Sequence, residues 1–271
     1  MHMVNRAFAG LRDVARLAKQ PRHATALLQA YYRFQRLPQT TGADATIDFL
    51  GYRFHYLDPS TACHLFREIF VERLYDVAID SDRPRILDCG SNIGMSVLFF
   101  RHRFPNAVIT AFEPHPIAFK TLRKNVEHNH LNVTLHQIAV AERSGTVDFY
   151  CNDDVSDSLD MSLLPNRTEQ SIEVQARCLS DYVDDEIDLL KLDVEGAEEQ
   201  VLRELADSGA LGRIRSIACE YHHHRPVRSD RLSETLAILE TNGFGYQLRA
   251  HSSADNHLEG IQDVLIYAYR K

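Results

Sequence analysis

The sequence predicts a doubly wound α/β domain with a helical N-terminal cap, and two observations predict it. From Pro84 onward, short apolar runs alternate with segments of helical period, the order that builds a parallel sheet through right-handed crossovers. Before that point, apolar residues recur at helical spacing around a single stretch of strand alternation. The expected division is a helical cap or lid region at 1–82 and an α/β domain at 83–271.

In the cap, Ala24, Leu27, Leu28, Tyr31, Tyr32 and Phe34 mark a helix that Pro38 stops. Strand alternation over 46–56 is broken by Gly51, as in a hairpin. Leu65, Phe66, Ile69, Phe70, Leu74, Tyr75 and Ala78 then predict one amphipathic helix with a continuous apolar face. In the larger part, strands are expected at 85–88, 107–113, 133–138, 187–193 and 214–221, and two more near 246–248 and 264–269. Helices are expected at 95–103, 116–128 and 197–206, and a fourth, carrying Leu232, Leu236 and Leu239, is closed by Asn242 and Gly243.

Composition removes several function classes. With 44% apolar and 25% charged residues, the chain of 271 residues can bury a large core, which excludes a disordered or low-complexity protein. A net charge of −8 opposes general binding to nucleic acid or an anionic membrane. The 5 cysteines are odd in number and form no CxxC pair, which fits reduced thiols better than a disulfide framework. There is no long apolar run and no apolar leader block, so a soluble cytoplasmic protein is expected.

The first strand–turn–helix carries the strongest chemical signal. Asp88, Gly90 and Gly94 stand in a turn whose amides are expected to face a ligand at the carboxyl edge of the sheet. The spacing is not G-x-G-x-x-G, and a carboxylate at Asp88 would repel a pyrophosphate while suiting an ammonium group. Glu113 ends the next strand, where an acid can accept hydrogen bonds from both ribose hydroxyls. An amino-acid ammonium together with a ribose describes S-adenosylmethionine.

At these residues the chain resembles the FkbM family of class I S-adenosylmethionine-dependent methyltransferases. The resemblance rests on Leu87-Asp88-Cys89-Gly90-Ser91-Asn92-Ile93-Gly94, on Phe112-Glu113-Pro114, and on Leu190-Lys191-Leu192-Asp193-Val194-Glu195-Gly196-Ala197-Glu198. It implies a Rossmann-like, seven-stranded, mostly parallel sheet with the last strand antiparallel, and a strand-rich insertion at about 147–179. It also implies methyl transfer in natural product biosynthesis, most often to a hydroxyl of a sugar or natural product. Asp88, Gly90 and Glu113, with Asn92 and Ser158, are the cofactor-binding positions it implies. The first residues, outside the family core, are expected to serve acceptor choice or assembly into a homo-oligomer.

The acceptor edge is expected at the carboxyl ends of the fourth and fifth strands. Asp193 ends one, and Glu220 and His222 share a face at the end of the other, about 5 Å away. Two carboxylates so placed need a shared proton or a cation between them. Asp193, Glu220 and His222 are therefore candidate ligands of Mg²⁺ or another divalent metal that would acidify an acceptor hydroxyl. The competing reading makes His222 a metal-free general base, and a blander one leaves His222-His223-His224 in a solvated loop. A hydroxylated small molecule is the expected acceptor, not nucleic acid and not a membrane. An N-methyltransferase or a non-catalytic cofactor-binding protein is the alternative. Cys89 and Cys219 read as buried packing residues rather than nucleophiles.

Overall fold

The computed structural model describes residues 10, 12–17, 24–38, 45–151, 170–224, 232–251 and 261–271. Helix α1 (Ala24–Phe34) turns Leu27, Ala30, Tyr31 and Phe34 inward. Strands β1 (Thr46–Phe49) and β2 (Tyr52–His55) pair as the expected antiparallel hairpin. Helix α2 (Pro59–Phe66) starts at Asp58, whose carboxylate accepts the Thr61 N–H at 2.6 Å, with Pro59 in the first turn.

The second cap helix does not run on to Ala78. After Phe66 the chain widens into a π turn at Arg67–Val71, closed by the Glu72 N–H donating to the Arg67 carbonyl at 2.8 Å. Arg73, at φ 58°, then reverses the backbone. Leu74 and Tyr75 are buried, so their spacing reads as part of a helical face, yet they reach the interior from a turn outside the helix. Aromatic packing carries the cap onto the larger domain. Phe34 stacks on Phe66 at 4.2 Å, Phe66 on Phe70 at 5.5 Å, and Phe70 meets Phe99 edge-on at 5.4 Å. Each such ring contributes roughly 1.5–3 kcal/mol by leaving water.

The domain alternates as expected: β3 (Arg85–Cys89), α3 (Met95–Arg103), β4 (Val108–Phe112), α4 (Pro116–His128) and β5 (Val133–His136). The insertion follows as a separate three-stranded sheet of β6 (Ala139–Val140), β7 (Gly145–Tyr150) and β8 (Ser171–Arg177). Then come β9 (Ile187–Leu192), α5 (Glu198–Asp207), β10 (Ile214–His224), α6 (Leu232–Thr241), β11 (Phe244–His251) and β12 (Ile261–Arg270). The main sheet has seven strands in the order β11–β12–β10–β9–β3–β4–β5, and β12 runs antiparallel to both of its neighbours. The other neighbouring pairs are parallel. The Rossmann-like fold with its antiparallel last strand is thus present.

Leu189, Leu190 and Leu192 are fully buried because β9 lies between β3 and β10 and is covered on both faces. One face packs against the cap and α3; the other packs against α5 and α6 through Leu202, Leu205 and Leu239. Sequence-successive strands leave β3 toward β4 on one side, while β9 lies on the other. That reversal opens a crevice at the carboxyl ends of β3, β4, β9 and β10. Among the described residues, no helix is long and apolar enough to cross a membrane.

Candidate active site

The turn after β3 is closed against the end of β9. Gly90 has φ 79°, and a Cβ there would lie 1.8 Å from the Asp193 carbonyl oxygen, so neither the backbone nor the space admits a side chain. The Asp193 N–H in turn donates to the Cys89 carbonyl at 3.2 Å. Gly94, at φ 94°, lets Leu122 of α4 come within 2.8 Å of where a Cβ would sit.

The turn amides do not face outward as the sequence predicts. Gly90 and Ser91 both donate to the Phe112 carbonyl at 3.0 Å, and Gly94 donates to Ser91 at 2.8 Å. Asn92 donates to Glu113 Oε2 at 2.9 Å and Ile93 to the Asn92 side chain at 2.7 Å. Each N–H from 90 to 94 therefore has an acceptor inside the chain, and a pyrophosphate would find carboxylates where it needs donors. Asn92 itself sits at φ 47°, a conformation that asparagine tolerates.

Glu113 follows the end of β4 and is 3% exposed. Its oxygens accept the His115 N–H at 2.8 Å and the Asn92 N–H at 2.9 Å. Each oxygen keeps a second lone pair, which is what a vicinal diol requires. Burial pushes the Glu113 carboxyl up to about 7, against the pull of those two N–H groups and of Lys191.

Asp88 lies beneath the turn with no exposure, accepting Ser96 Oγ at 2.6 Å and facing Lys191 Nζ at 3.4 Å. Lys191 is its register partner across the parallel β3–β9 pair. The buried ammonium also lies 3.2 Å from Asp193 Oδ2, donates to the Gly90 and Cys89 carbonyls, and sits 5.1 Å over the Tyr75 ring. Burial alone would lower its pKa; Asp193 and Asp88 hold it above the ordinary lysine value instead.

Asp193 and Glu220 do come together at the ends of β9 and β10, and a third residue bridges them. The Tyr75 hydroxyl lies 3.0 Å from Asp193 Oδ2 and 3.1 Å from Glu220 Oε2. Burial and the two carboxylates raise its pKa well above the usual phenol range, so it serves as a donor. The expectation that the two acids lack a counter-charge is therefore corrected: Lys191 supplies the charge and Tyr75 a hydrogen bond, from positions that read as part of a motif and as a helix face.

His222 is 5% exposed and points into a turn rich in acids. Its Nδ1 meets Glu198 Oε1 at 2.9 Å, and its Nε2 faces Glu195 at 3.4 Å and Asp193 at 3.9 Å. Glu198 also accepts the Val194 and Gly196 N–H groups at 3.2 and 2.9 Å, which fixes the turn where Glu195 adopts φ 57°. Burial opposes protonation of His222, but Glu195, Glu198 and Asp193 outweigh it and raise its pKa well above the ordinary value. The three histidines belong to β10, paired with β12, and not to a loop.

Ligand atoms of Asp193, Glu195 and His222 all lie within 4.8 Å of one another. That group holds Glu195 where the sequence suggests Glu220. Glu195 and Glu198 were detectable only as acids following the strand end. Cys89 and Cys219 are buried, with thiol pKa values pushed up by that burial, as packing residues would have. Ser158 falls outside the described residues.

A profile of the methyltransferase FkbM domain matches residues 88–248, spanning this site. Methyltransferase 1 of Beauveria bassiana is 34% identical over 167 residues, 53% of this chain and 67% of that protein. The 31-O-demethyl-FK506 methyltransferase FkbM of Streptomyces tacrolimicus is 30% identical over 224 residues, 70% of this chain and 84% of that protein. The 2-O-methyltransferase NoeI of Sinorhizobium fredii is 28% identical over 161 residues, 53% and 65% of the two chains. The chain, with its methyltransferase fold and the strand-end acids of its matched region, belongs to the FkbM methyltransferase family.

Proposed function

We propose that the protein transfers a methyl group from S-adenosylmethionine to a hydroxyl of a small molecule, with a sugar or glycosylated natural product as the acceptor class. The observation that carries the cofactor reading is the turn after β3. Its amides are internally satisfied and its surroundings are anionic, which suits a cationic amino-acid nucleoside and disfavours a dinucleotide. Two relatives whose names specify an oxygen position support the hydroxyl acceptor. The net charge of −8 supports a small molecule over nucleic acid.

When bound, the cofactor supplies a methyl group on a sulfonium, displaced in line with the C–S electrons left on sulfur. Glu113 holds the ribose through its two remaining lone pairs, and Asn92 fixes one of its oxygens. Gly90 and Gly94 bring the turn close to β9 and α4. Asp88 acts from beneath by anchoring Lys191, and the family resemblance adds Ser158. At the acceptor edge, Asp193, Glu220 and His222 orient the hydroxyl, and its proton passes to one of the two carboxylates, Asp193 or Glu220. Most of the acceleration in such a displacement comes from holding two reactants in line. The carboxylates that keep His222 protonated weigh against a resting imidazole base.

Titration calorimetry with S-adenosylmethionine tests the cofactor, and a mass-detected screen of hydroxylated metabolites tests the transfer. Binding that Glu113→Ala abolishes, with one methyl gained on oxygen, is the expected result. Tighter binding of a nicotinamide dinucleotide would end this reading.

A further inference from the structure

Beyond cofactor and acceptor, the acidic turn after β9 has the composition of a cation site. We propose that Asp193, Glu195 and the Nε2 of His222 form a divalent-cation site of the Mg²⁺ or Mn²⁺ type, with Glu198 as the group that orients the imidazole.

Four observations support this. Asp193, Glu195 and His222 offer ligand atoms mutually within 4.8 Å, a spread that one ion can close with small side-chain movements. Their chemistry is oxygen-rich with a single imidazole, which suits Mg²⁺ or Mn²⁺ better than a structural zinc site. His222 is oriented from behind: Glu198, 1% exposed, engages Nδ1 at 2.9 Å and leaves Nε2 toward the two carboxylates. A carboxylate behind a ligating histidine is the usual outer partner of a metal. Finally, Asp193, Glu195 and Glu198 gather around one histidine, while the only buried lysine among the described residues is shared with Asp88. Glu220 is not in this set; its Oε2 accepts the Tyr75 hydroxyl at 3.1 Å.

The inference borrows from the proposed function only the location of the acceptor edge, and ion binding is measurable without any methyl transfer. The competing occupant is the imidazolium of His222 itself, which would neutralise the same carboxylates.

The full-length, chelator-treated protein is titrated with Mn²⁺ and followed by electron paramagnetic resonance and calorimetry. One ion per chain is expected, with spin-echo modulation from a directly bound imidazole nitrogen that disappears in His222→Gln. Glu195→Gln should weaken binding by about tenfold or more, and Glu198→Gln by about 10- to 100-fold as an outer partner. Glu220→Gln should leave the affinity unchanged. Thermal melts and cofactor titration on each variant separate loss of the ion from loss of fold. The proposal is overturned if the wild type takes up no Mn²⁺, if uptake lacks the nitrogen signal, or if Glu220→Gln loses the ion and Glu195→Gln does not. A protein that binds Mn²⁺ but not S-adenosylmethionine would keep this inference and remove the functional one.

Discussion

The Tyr75 hydroxyl lies 3.0 Å from Asp193 Oδ2, so a residue of the N-terminal cap is hydrogen-bonded to the strand end proposed as the acceptor edge. The same hydroxyl is 3.1 Å from Glu220, and the Tyr75 ring lies beside Lys191. The cap therefore reaches the proposed site as well as covering the sheet.

Tyr75→Phe should separate these roles. The ring, its burial and its contact with Lys191 are retained; only the hydroxyl that spaces the two carboxylates is lost. A hydrogen bond to a charged group is worth roughly 1.5–3 kcal/mol, so turnover should fall roughly 10- to 100-fold. Affinity for S-adenosylmethionine should stay within calorimetric error. Unchanged kcat in a folded variant would show that the bridge has no part in the reaction.

Lys191 governs stability. It is 2% exposed between Asp88 and Asp193, and removing it leaves a fully buried carboxylate without its counter-charge. Lys191→Met is expected to lower unfolding stability by about 3–5 kcal/mol, read from urea melts. Adding Asp88→Asn to that variant should recover part of the loss, since the uncompensated charge goes with it. The same burial means that Asp88 variants lose stability along with cofactor affinity, despite the position of Asp88 beside a loop.

Glu113 sets a pH dependence. Its carboxyl titrates near 7 in the folded chain because burial disfavours the anion, against an ordinary 4.5. Between those values the unfolded chain has released a proton that the native chain keeps. Stability from this group is therefore fully present below the ordinary value and lost as pH rises through about 7. Cofactor affinity should run the other way, because two ribose donors favour the ionised carboxylate. Calorimetry across this range should show tightening with rising pH in the wild type and a flat profile in Glu113→Gln.

The sheet was legible in the sequence because its strands are apolar runs bounded by turns, and β9 reads as a buried strand from its leucines alone. The antiparallel direction of β12 came from family resemblance, since periodicity carries no direction. Tyr75 was misplaced because a π turn and a left-handed Arg73 break the helix without Gly or Pro, while leaving Leu74 and Tyr75 buried as a helical face would. Lys191 had a readable signal, a single cation inside an apolar strand opposite a single acid on the neighbouring one. Glu195 and Glu198 were legible as acids of the motif after β9 but not as partners of His222, because the turn that aims them depends on hydrogen bonds to Glu198 that spacing does not encode.

The turn that delivers Tyr75 is itself tied down by charge. The Glu72 side chain is 5% exposed and meets Arg67 at 2.9 Å, Arg16 at 3.2 Å and Arg249 of β11 at 3.3 Å. Asp13, 2% exposed, takes a second contact from Arg67 at 3.0 Å. The arginines remain partly in water, so each pair is worth about 1 kcal/mol or less after screening. Their combined geometry matters more, because Glu72 directly precedes the left-handed residue that turns the chain toward Asp193. Glu72→Gln should leave the sheet intact and loosen this corner. Amide exchange should speed up over 67–77 and stay unchanged in β3, β9 and β10. Turnover should fall by less than in Tyr75→Phe, and combining the two substitutions should add little, since both act on the same hydroxyl. Fully additive losses would mean that the charge knot supports the enzyme by a route that does not pass through Tyr75.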